Sequence, residues 1–502
     1  MGGLLLGLDI GSSFVKASII EIERGLLKTA SHSPETEMEI LSPRPGHAEQ
    51  DPETWWKAVL ACLDKIKSAG IRLDEIEAIG ISYQMHGLVV VGKDLRPLRP
   101  SIIWCDSRAV TTGEKAFDAI GHDLCLKRFM NSPGNFTASK LAWVKKNEPG
   151  IYKKIYKFML PGDYIALKLS GEATTTPAGL SEGILWDYTD SAPAKLILDY
   201  FAIDERLIPE IRPSFGLQCV ISRNAACETG LKEGIPVAYR AGDQPNNAFS
   251  LNVLNPGETA TTAGTSGVVY GVSNKPVYDA ESRVNGFLHV NHSAKAGRYG
   301  ILMCINGTGI LNSWLKHNMP GLSYEEMNRL AATVAPGSEG LVILPYGNGA
   351  ERTLSNINPG VSVRGLDLIR HTKAHLLRAA QEGIVFALKY GMEIMEGMGI
   401  KAETIRAGHA NMFLSNVFCE AFACATEANV ELFSTDGAQG AARGAGIGSN
   451  AYGSFADAFT GLEIISKIEP ARGLADAYGQ AYALWKQTLD VVLKQENSKP
   501  SQ

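Results

Sequence analysis

Apolar runs recur along the chain at two periods. Near the N-terminus, LLLGLD and FVKASIIEI flank the small-residue turn IGSS, which predicts a strand–turn–strand unit. The same pattern returns as TATTA, GTSG and VVYGVS, about half the chain further on. An internal duplication would produce this, each half being a layered α/β domain. IEAIGIS and LVVV, from Ile76 and Leu88, read as strands on either side of the sharp sequence YQMHG. From Ala374 to Gly399, residues Leu376, Leu377, Ala380, Ile384 and Leu388 follow a 3.6-residue period, so an amphipathic helix is expected, with Gly399 as its C-terminal cap. ETIRAGHAN followed by MFLSNVFCEAFACAT predicts strand, glycine loop and helix. The domain boundary is expected near residue 245, after VAYRAGDQ, giving domains 1–245 and 246–502; the polar tail beyond Glu496 is expected to fray.

Composition narrows the class. A chain of 502 residues exceeds what one hydrophobic core organises, so two domains are expected. With 45% hydrophobic and 20% charged residues it has the balance of a globular protein. A net charge of -5 gives no reason to expect nucleic acid or an anionic membrane as partner. The first apolar run lacks a basic region and reaches Asp9 quickly, so it reads as a strand rather than a signal peptide, and no window has the length of a membrane span. Eight scattered cysteines without a CxxC pair point to reduced thiols and a cytoplasmic location.

Several segments carry groups with chemical use. Asp9 ends a strand, and the turn Gly11–Ser12–Ser13 offers backbone N–H groups that phosphate oxygens can approach, while the carboxylate can help hold magnesium. An ordinary hairpin turn reads the same way. Gly264–Thr265–Ser266–Gly267 has the same physics and the same ambiguity. Together the two turns suggest phosphate sites facing each other across a cleft. There is no GxxxxGK[ST] run and no HRD and DFG pair, which argues against P-loop enzymes and protein kinases. Asp243, after the strand VAYRA, is either a base for an attacking hydroxyl or a helix N-cap. Gln84–Met85–His86–Gly87 interrupts two strands and offers polar edges to a sugar, although a lone histidine also serves structure. Trp104–Cys105–Asp106–Ser107–Arg108 supplies an aromatic face, a carboxylate and a guanidinium; a carbohydrate site and a buried ion pair would look alike.

In chain order, GLDIGSS, GHAEQDPETWW, GISYQMHG, IIWCDSR, NFTASKLAWVKKNEP from Asn135, LPGDYIALKLSG, the Asp243 segment, AGTSGVV, ILPYGNGAERT, RGLDLIRH with RAAQEG, and GAQGAARGAG resemble the FGGY family of carbohydrate kinases, from Gly7 to about Gly448. The resemblance implies an α/β protein of two actin-like ATPase (ribonuclease H-like) domains with an interdomain cleft. It implies ATP as phosphoryl donor, Mg2+ as cofactor and a small sugar as acceptor. Asp243 matches the family's general base, Asp9 the acid near metal and phosphate, and Met85, His86 and Gly87 the sugar-binding loop, with Trp104 and Asp106 beside it. Gly11, Ser12, Ser13, Gly264, Thr265, Ser266, Gly307, Gly408 and Asn411 fall on the nucleotide side.

Within the family, QMHG with WCDSR resembles the xylulokinases, which implies D-xylulose as substrate. L-ribulose, L-fuculose and glycerol are alternatives, as is a non-catalytic switch of the actin–Hsp70 type. Departures from the pattern bear on the sugar. TTTPAGLSEGILW carries Pro177, Leu180 and Glu182 where an aspartate- and alanine-rich sequence is usual, Gln244 follows Asp243, and the adenosine loop reads Ala407–Gly408–His409. Asn135 and Gln381 are smaller departures, expected to tune packing only. A homodimer is what the family suggests.

Overall fold

In the computed structural model, which describes residues 3–498, the first two apolar runs form β1 (Leu4–Ile10) and β2 (Val15–Glu21), antiparallel, with Ile10 opposite Val15 at the turn. With β3 (Leu27–Ser33), β4 (Ile76–Tyr83), β5 (Phe215–Val220) and β6 (Pro236–Gly242) they make a sheet in the order β5-β6-β4-β1-β2-β3. Strand β4 is parallel to both β1 and β6. Both faces are covered, which is why β1 and β2 read as nearly unbroken apolar runs rather than alternating ones.

Helix Pro52–Ser68 covers one face. Asp51 caps it by accepting the Glu53 N–H, Pro52 follows, and Trp55, Trp56, Val59, Leu63 and Ile66 are buried at helical spacing. The other face takes helix Gly437–Gly448, whose small residues let backbone meet backbone. A Cβ on Gly7 or Gly80 would overlap the carbonyl oxygen of Ala438 or Ala441.

A second sheet repeats the plan. Six of its seven strands, β7 (Thr259–Ala263), β8 (Gly267–Ser273), β9 (Tyr299–Ile305), β10 (Thr404–Gly408), β11 (Asn429–Phe433) and β12 (Ile464–Ile468), lie in the order β9-β8-β7-β10-β11-β12. The hairpin β7–β8 is antiparallel, β7–β10 and β10–β11 are parallel, and the edge pair β11–β12 is antiparallel. Five of these, β9-β8-β7-β10-β11, match the order β3-β2-β1-β4-β6, as a duplication would produce, whereas the antiparallel edge strand precedes its neighbour in the chain in the first sheet (β5 before β6) and follows it in the second (β12 after β11).

The chain divides into two compact units. One holds the chain up to Leu254 with Gly286–Tyr299 and Thr435–Leu462; the other holds Asn255–Asn285, Gly300–Ser434 and the segment from Glu463 onward. The first break, after Leu254, lies close to the boundary expected near residue 245, and two later segments return to the first unit. Helix Gly437–Gly448 belongs with the first sheet because only residues this small fit so close to β1 and β4.

In the second unit, helix Lys373–Gly397 runs close to the expected bounds, and Gly399, at φ +87°, follows its C-cap. It is less amphipathic than its sequence suggests: every residue from Leu377 to Leu388 is buried. Buried Arg378 is paired with Glu382 at 2.8 Å and also donates to the Val334 carbonyl and the Tyr478 hydroxyl, so its charge is compensated. Helix Ala475–Asn497 reaches into the tail; residues 499–502, where fraying was expected, lie outside the described residues. Among the described residues all eight cysteines are unpaired, and no helix is long and apolar enough to cross a membrane.

Candidate active site

The three parallel neighbours β1, β4 and β6 deliver their C-terminal ends to one edge of the first sheet, the edge at which open α/β sheets bind ligands. Asp9 ends β1, Met85 and His86 follow β4, and Asp243 follows β6. Asp243 is the first residue of helix Asp243–Ser250, and Gly242 occupies the N-cap, so the cap position itself is not the aspartate's. Burial, reinforced by the charge of Asp9, raises its carboxyl to about 7 against the pull of the Gln244 N–H. Burial also raises Asp9, with Lys16 opposing and Asp436 adding to the rise. Any side chain at Gly437 would crowd the Asp9 carboxylate.

The loop after β4 is held on every side. Gln84 donates its N–H to the Ile10 carbonyl, and His86 has a left-handed backbone at φ +62°. Buried Lys140, from the NFTASKLAW segment, donates to the carbonyls of His86 at 2.8 Å and Ile103 at 2.9 Å. Burial lowers this ammonium to about 7, with Asp106 opposing. The His86 N–H donates to Glu182 Oε1 at 3.3 Å, and His86 Nδ1 lies 2.9 Å from the Glu182 carbonyl oxygen. A carbonyl only accepts, so Nδ1 carries the proton. Phe136 and Phe287 pack against the ring. Gly87 is required by Pro161, whose ring a Cβ would overlap.

Trp104 is 50% exposed, and its indole N–H reaches Ser12 Oγ at 3.3 Å, joining the aromatic face to the first turn. Asp106 goes the other way. It is fully buried, accepts the Ala48 N–H at 2.6 Å and is paired with Arg108 at 2.7 Å, and Arg108 in turn pairs with Glu49. Of the two readings the sequence left open for this segment, Asp106 has the geometry of the internal ion pair.

The second unit carries a cavity of about 460 Å³ at the end of the β7–β8 hairpin. Gly264, Thr265, Asn312, Asn328, Asn411 and Ser415 are among its lining residues, and none of that lining is charged. The turn is fixed to helix Gly309–Asn318, whose first N–H groups, of Gly309 and Ile310, donate to the carbonyls of Gly264 and Thr265. Gly309 must be glycine, since a Cβ there would crowd the Gly264 carbonyl. Behind the wall, Ser415 Oγ donates to buried Gln381 at 2.7 Å, and Gln381 Nε2 donates to Asn328 Oδ1 at 3.0 Å. Gln381 thus does more than tune packing: it orients two groups of the cavity wall. Asn411 contributes with φ +56°. Ser266 lies in the hairpin turn, and Gly408 ends β10 outside the cavity lining. Gly307 is taken up internally, its N–H donated to buried Glu351 and its Cα against the Pro345 carbonyl. Glu351, raised by burial to about 7, also accepts the Asn306 N–H.

Glu182, Lys140, Asp436 and Gln381 were not singled out for site roles in the sequence, because nothing local distinguishes a buried polar residue near a ligand from one in the core. The departures at Glu182 and Gln381 from the usual pattern are the signals the sequence carries for them.

Residues 4–250 match the FGGY family of carbohydrate kinases, N-terminal domain, and residues 259–448 match its C-terminal domain. The chain is 30% identical over 397 residues to the xylulose kinase of Lactococcus lactis, covering 78% of this chain and 77% of that one. It is similar to the structure of a xyloylose kinase from Brucella ovis, with a TM-score of 0.88, 26% identity, and 97% and 99% of the two chains covered. A gluconate kinase from Lactobacillus acidophilus shares the fold equally well, with a TM-score of 0.88 at 21% identity over 98% of each chain. The α/β, two-domain, actin-like architecture is therefore the one expected from the sequence, whereas the sugar is not fixed by likeness of fold.

Proposed function

The chain belongs to the FGGY family of carbohydrate kinases, and from that premise we propose that it transfers the γ-phosphoryl group of ATP to the terminal hydroxyl of a ketose, converting D-xylulose to D-xylulose 5-phosphate. The observation that carries the mechanism is Asp243, a carboxyl raised to about 7 beside the Met85–His86 loop. A base is most effective when its pKa lies near the working pH. Asp243 takes the proton of the terminal hydroxyl as the oxygen attacks phosphorus; the new O–P bond forms, the bond to the bridging oxygen breaks, and ADP leaves with that electron pair. The Met85–His86–Gly87 loop and Trp104 orient the sugar. The uncharged cavity of the second unit takes the nucleoside, its amides and hydroxyls meeting the polar edges of base and ribose, with the Gly264–Ser266 turn toward the phosphates.

Asp9 fits a magnesium ion. Its partly buried carboxyl is held above the usual range by desolvation, with Asp436 adding like charge, an excess that a hard divalent cation would relieve. Asp9 would hold such an ion, which would supply neutralisation of the phosphate charge.

D-xylulose is favoured by the xylulose kinases among the similar chains. A coupled ADP-release assay over D-xylulose, L-ribulose, L-fuculose, gluconate and glycerol is the test. The highest kcat/KM is expected for D-xylulose with formation of the 5-phosphate. A higher value for any other acceptor would replace the substrate assignment, and ATP turnover without any phosphorylated acceptor would overturn the kinase reading.

A further inference from the structure

Glu182 stands where the resemblance to the xylulokinases breaks down, and the fold puts it between the Met85–His86 loop and the Asp243 segment of the first unit. It is the last residue of helix Pro177–Glu182 and only 1% exposed. It grips His86 twice, the carboxyl accepting the backbone N–H and the carbonyl accepting Nδ1–H. The other carboxyl oxygen lies against the Cα of Gly242, where any added Cβ would overlap it and crowd Met85 as well. Glu182 therefore touches the loop after β4 and the residue immediately before Asp243. A left-handed histidine is an uncommon backbone state that surrounding contacts must maintain. Glu182 at its N–H and Lys140 at its carbonyl provide those contacts.

We propose that Glu182 is a positioning residue that sets the sugar loop against Asp243, and so fixes which acceptor hydroxyl meets the base. This rests on the kinase reading above and extends it to selectivity. The surroundings of Glu182 favour the uncharged form of its carboxyl. Burial and the charges of Asp243 and Asp163 hold it far above the usual carboxylate range, against the His86 N–H. Of the other groups facing it, Tyr83 is likewise raised by burial, and Asp163 is paired with Arg240. A neutral acid beside Asp243 leaves the base free to ionise, whereas a second carboxylate there would oppose it.

The test uses the full chain and the acceptor panel with Glu182→Gln, Glu182→Asp and Glu182→Ala. The amide of Gln can still accept the His86 N–H, so ketose KM and the acid limb of the pH–rate profile stay within about threefold and unmoved, respectively. Asp and Ala withdraw the acceptor, and ketose KM rises by about tenfold, with the ranking of acceptors compressed and the KM for ATP unchanged. Unaltered ketose KM and ranking in both Asp and Ala variants overturn the proposal, as does a Gln variant as impaired as Ala. Should the Ala variant fail to fold, the contrast between Gln and Asp decides alone. A parent enzyme that prefers another acceptor revises the substrate only, since the same variants are then compared on that acceptor; a parent that phosphorylates no sugar sinks the kinase reading and this proposal with it.

Discussion

At the end of β1 the chain turns through Gly11–Ser13 beside Asp9; at the end of β7 it turns through Gly264–Ser266 beside Thr262. Both turns close an antiparallel hairpin whose first strand is parallel to its other neighbour, and five strands of each sheet follow one order. Their surroundings differ in kind. Around the first turn stand partly buried acids, Asp9 and Asp243, each raised by desolvation and like charge. Around the second stand amides, hydroxyls and backbone, with no charged side chain in the cavity lining. One scaffold used twice thus presents under-compensated carboxyls in one unit, suited to moving a proton and holding a cation. In the other it presents a neutral pocket suited to recognition. Strand order sets where ligands bind, and the residues that end the strands set what happens there.

The sharpest way to break that contrast is to remove the acid at the end of β6. Asp243→Asn should lower kcat by about a hundred- to ten-thousandfold and leave ATP binding, read by calorimetry, unchanged. Near-normal turnover would strip the first unit of its proposed role. In the parent, Asp243 must be ionised to act, so kcat/KM for the sugar should fall as pH drops through about 7. Stability runs the opposite way. Because the folded pKa is raised above the unfolded one, this carboxyl favours folding at low pH and loses that contribution as pH rises toward about 7. The Tm of Asp243→Asn relative to the parent should therefore shift in the variant's favour between pH 5 and pH 8.

A smaller perturbation sharpens the same point. Asp9 adds to the rise at Asp243, so Asp9→Asn should move the acid limb of the profile to lower pH, whatever it does to the maximal rate. A limb that stays in place would mean that the two acids do not share one electrostatic environment.

How much of this was legible beforehand differs between the two units. Buried strands leave unbroken apolar runs, so the hairpins at Gly11 and Gly264, and with them the duplication, could be read from the sequence. Asp9, His86 and Asp243 follow such runs directly and were named from that position. The return of Gly437–Gly448 to the first sheet was not legible, because small residues announce close packing without naming the partner. Asp106 illustrates a different limit. An aspartate two residues before an arginine reads alike as ligand or ion pair, and only its complete burial and its bonds to Ala48 and Arg108 distinguish them. Glu182 and Gln381 act at a distance in sequence of tens of residues, which no local pattern records.

Gln381 gives the finest probe of the neutral pocket. It sits in the fully buried stretch of helix Lys373–Gly397 and links Ser415 to Asn328. Gln381→Leu roughly preserves volume, so the helix should hold its place. What is lost is the fixed orientation of two wall groups, and each needs another partner once the amide is gone. If the second unit works by recognition alone, the consequence falls on the nucleotide: KM for ATP should rise by roughly threefold, while ketose KM, kcat and the acid limb near pH 7 remain as in the parent. A change in kcat or in the pH limb with KM for ATP unaltered would show that this chain of bonds serves the chemistry instead, and the division between a proton-handling unit and a recognising one would have to be redrawn.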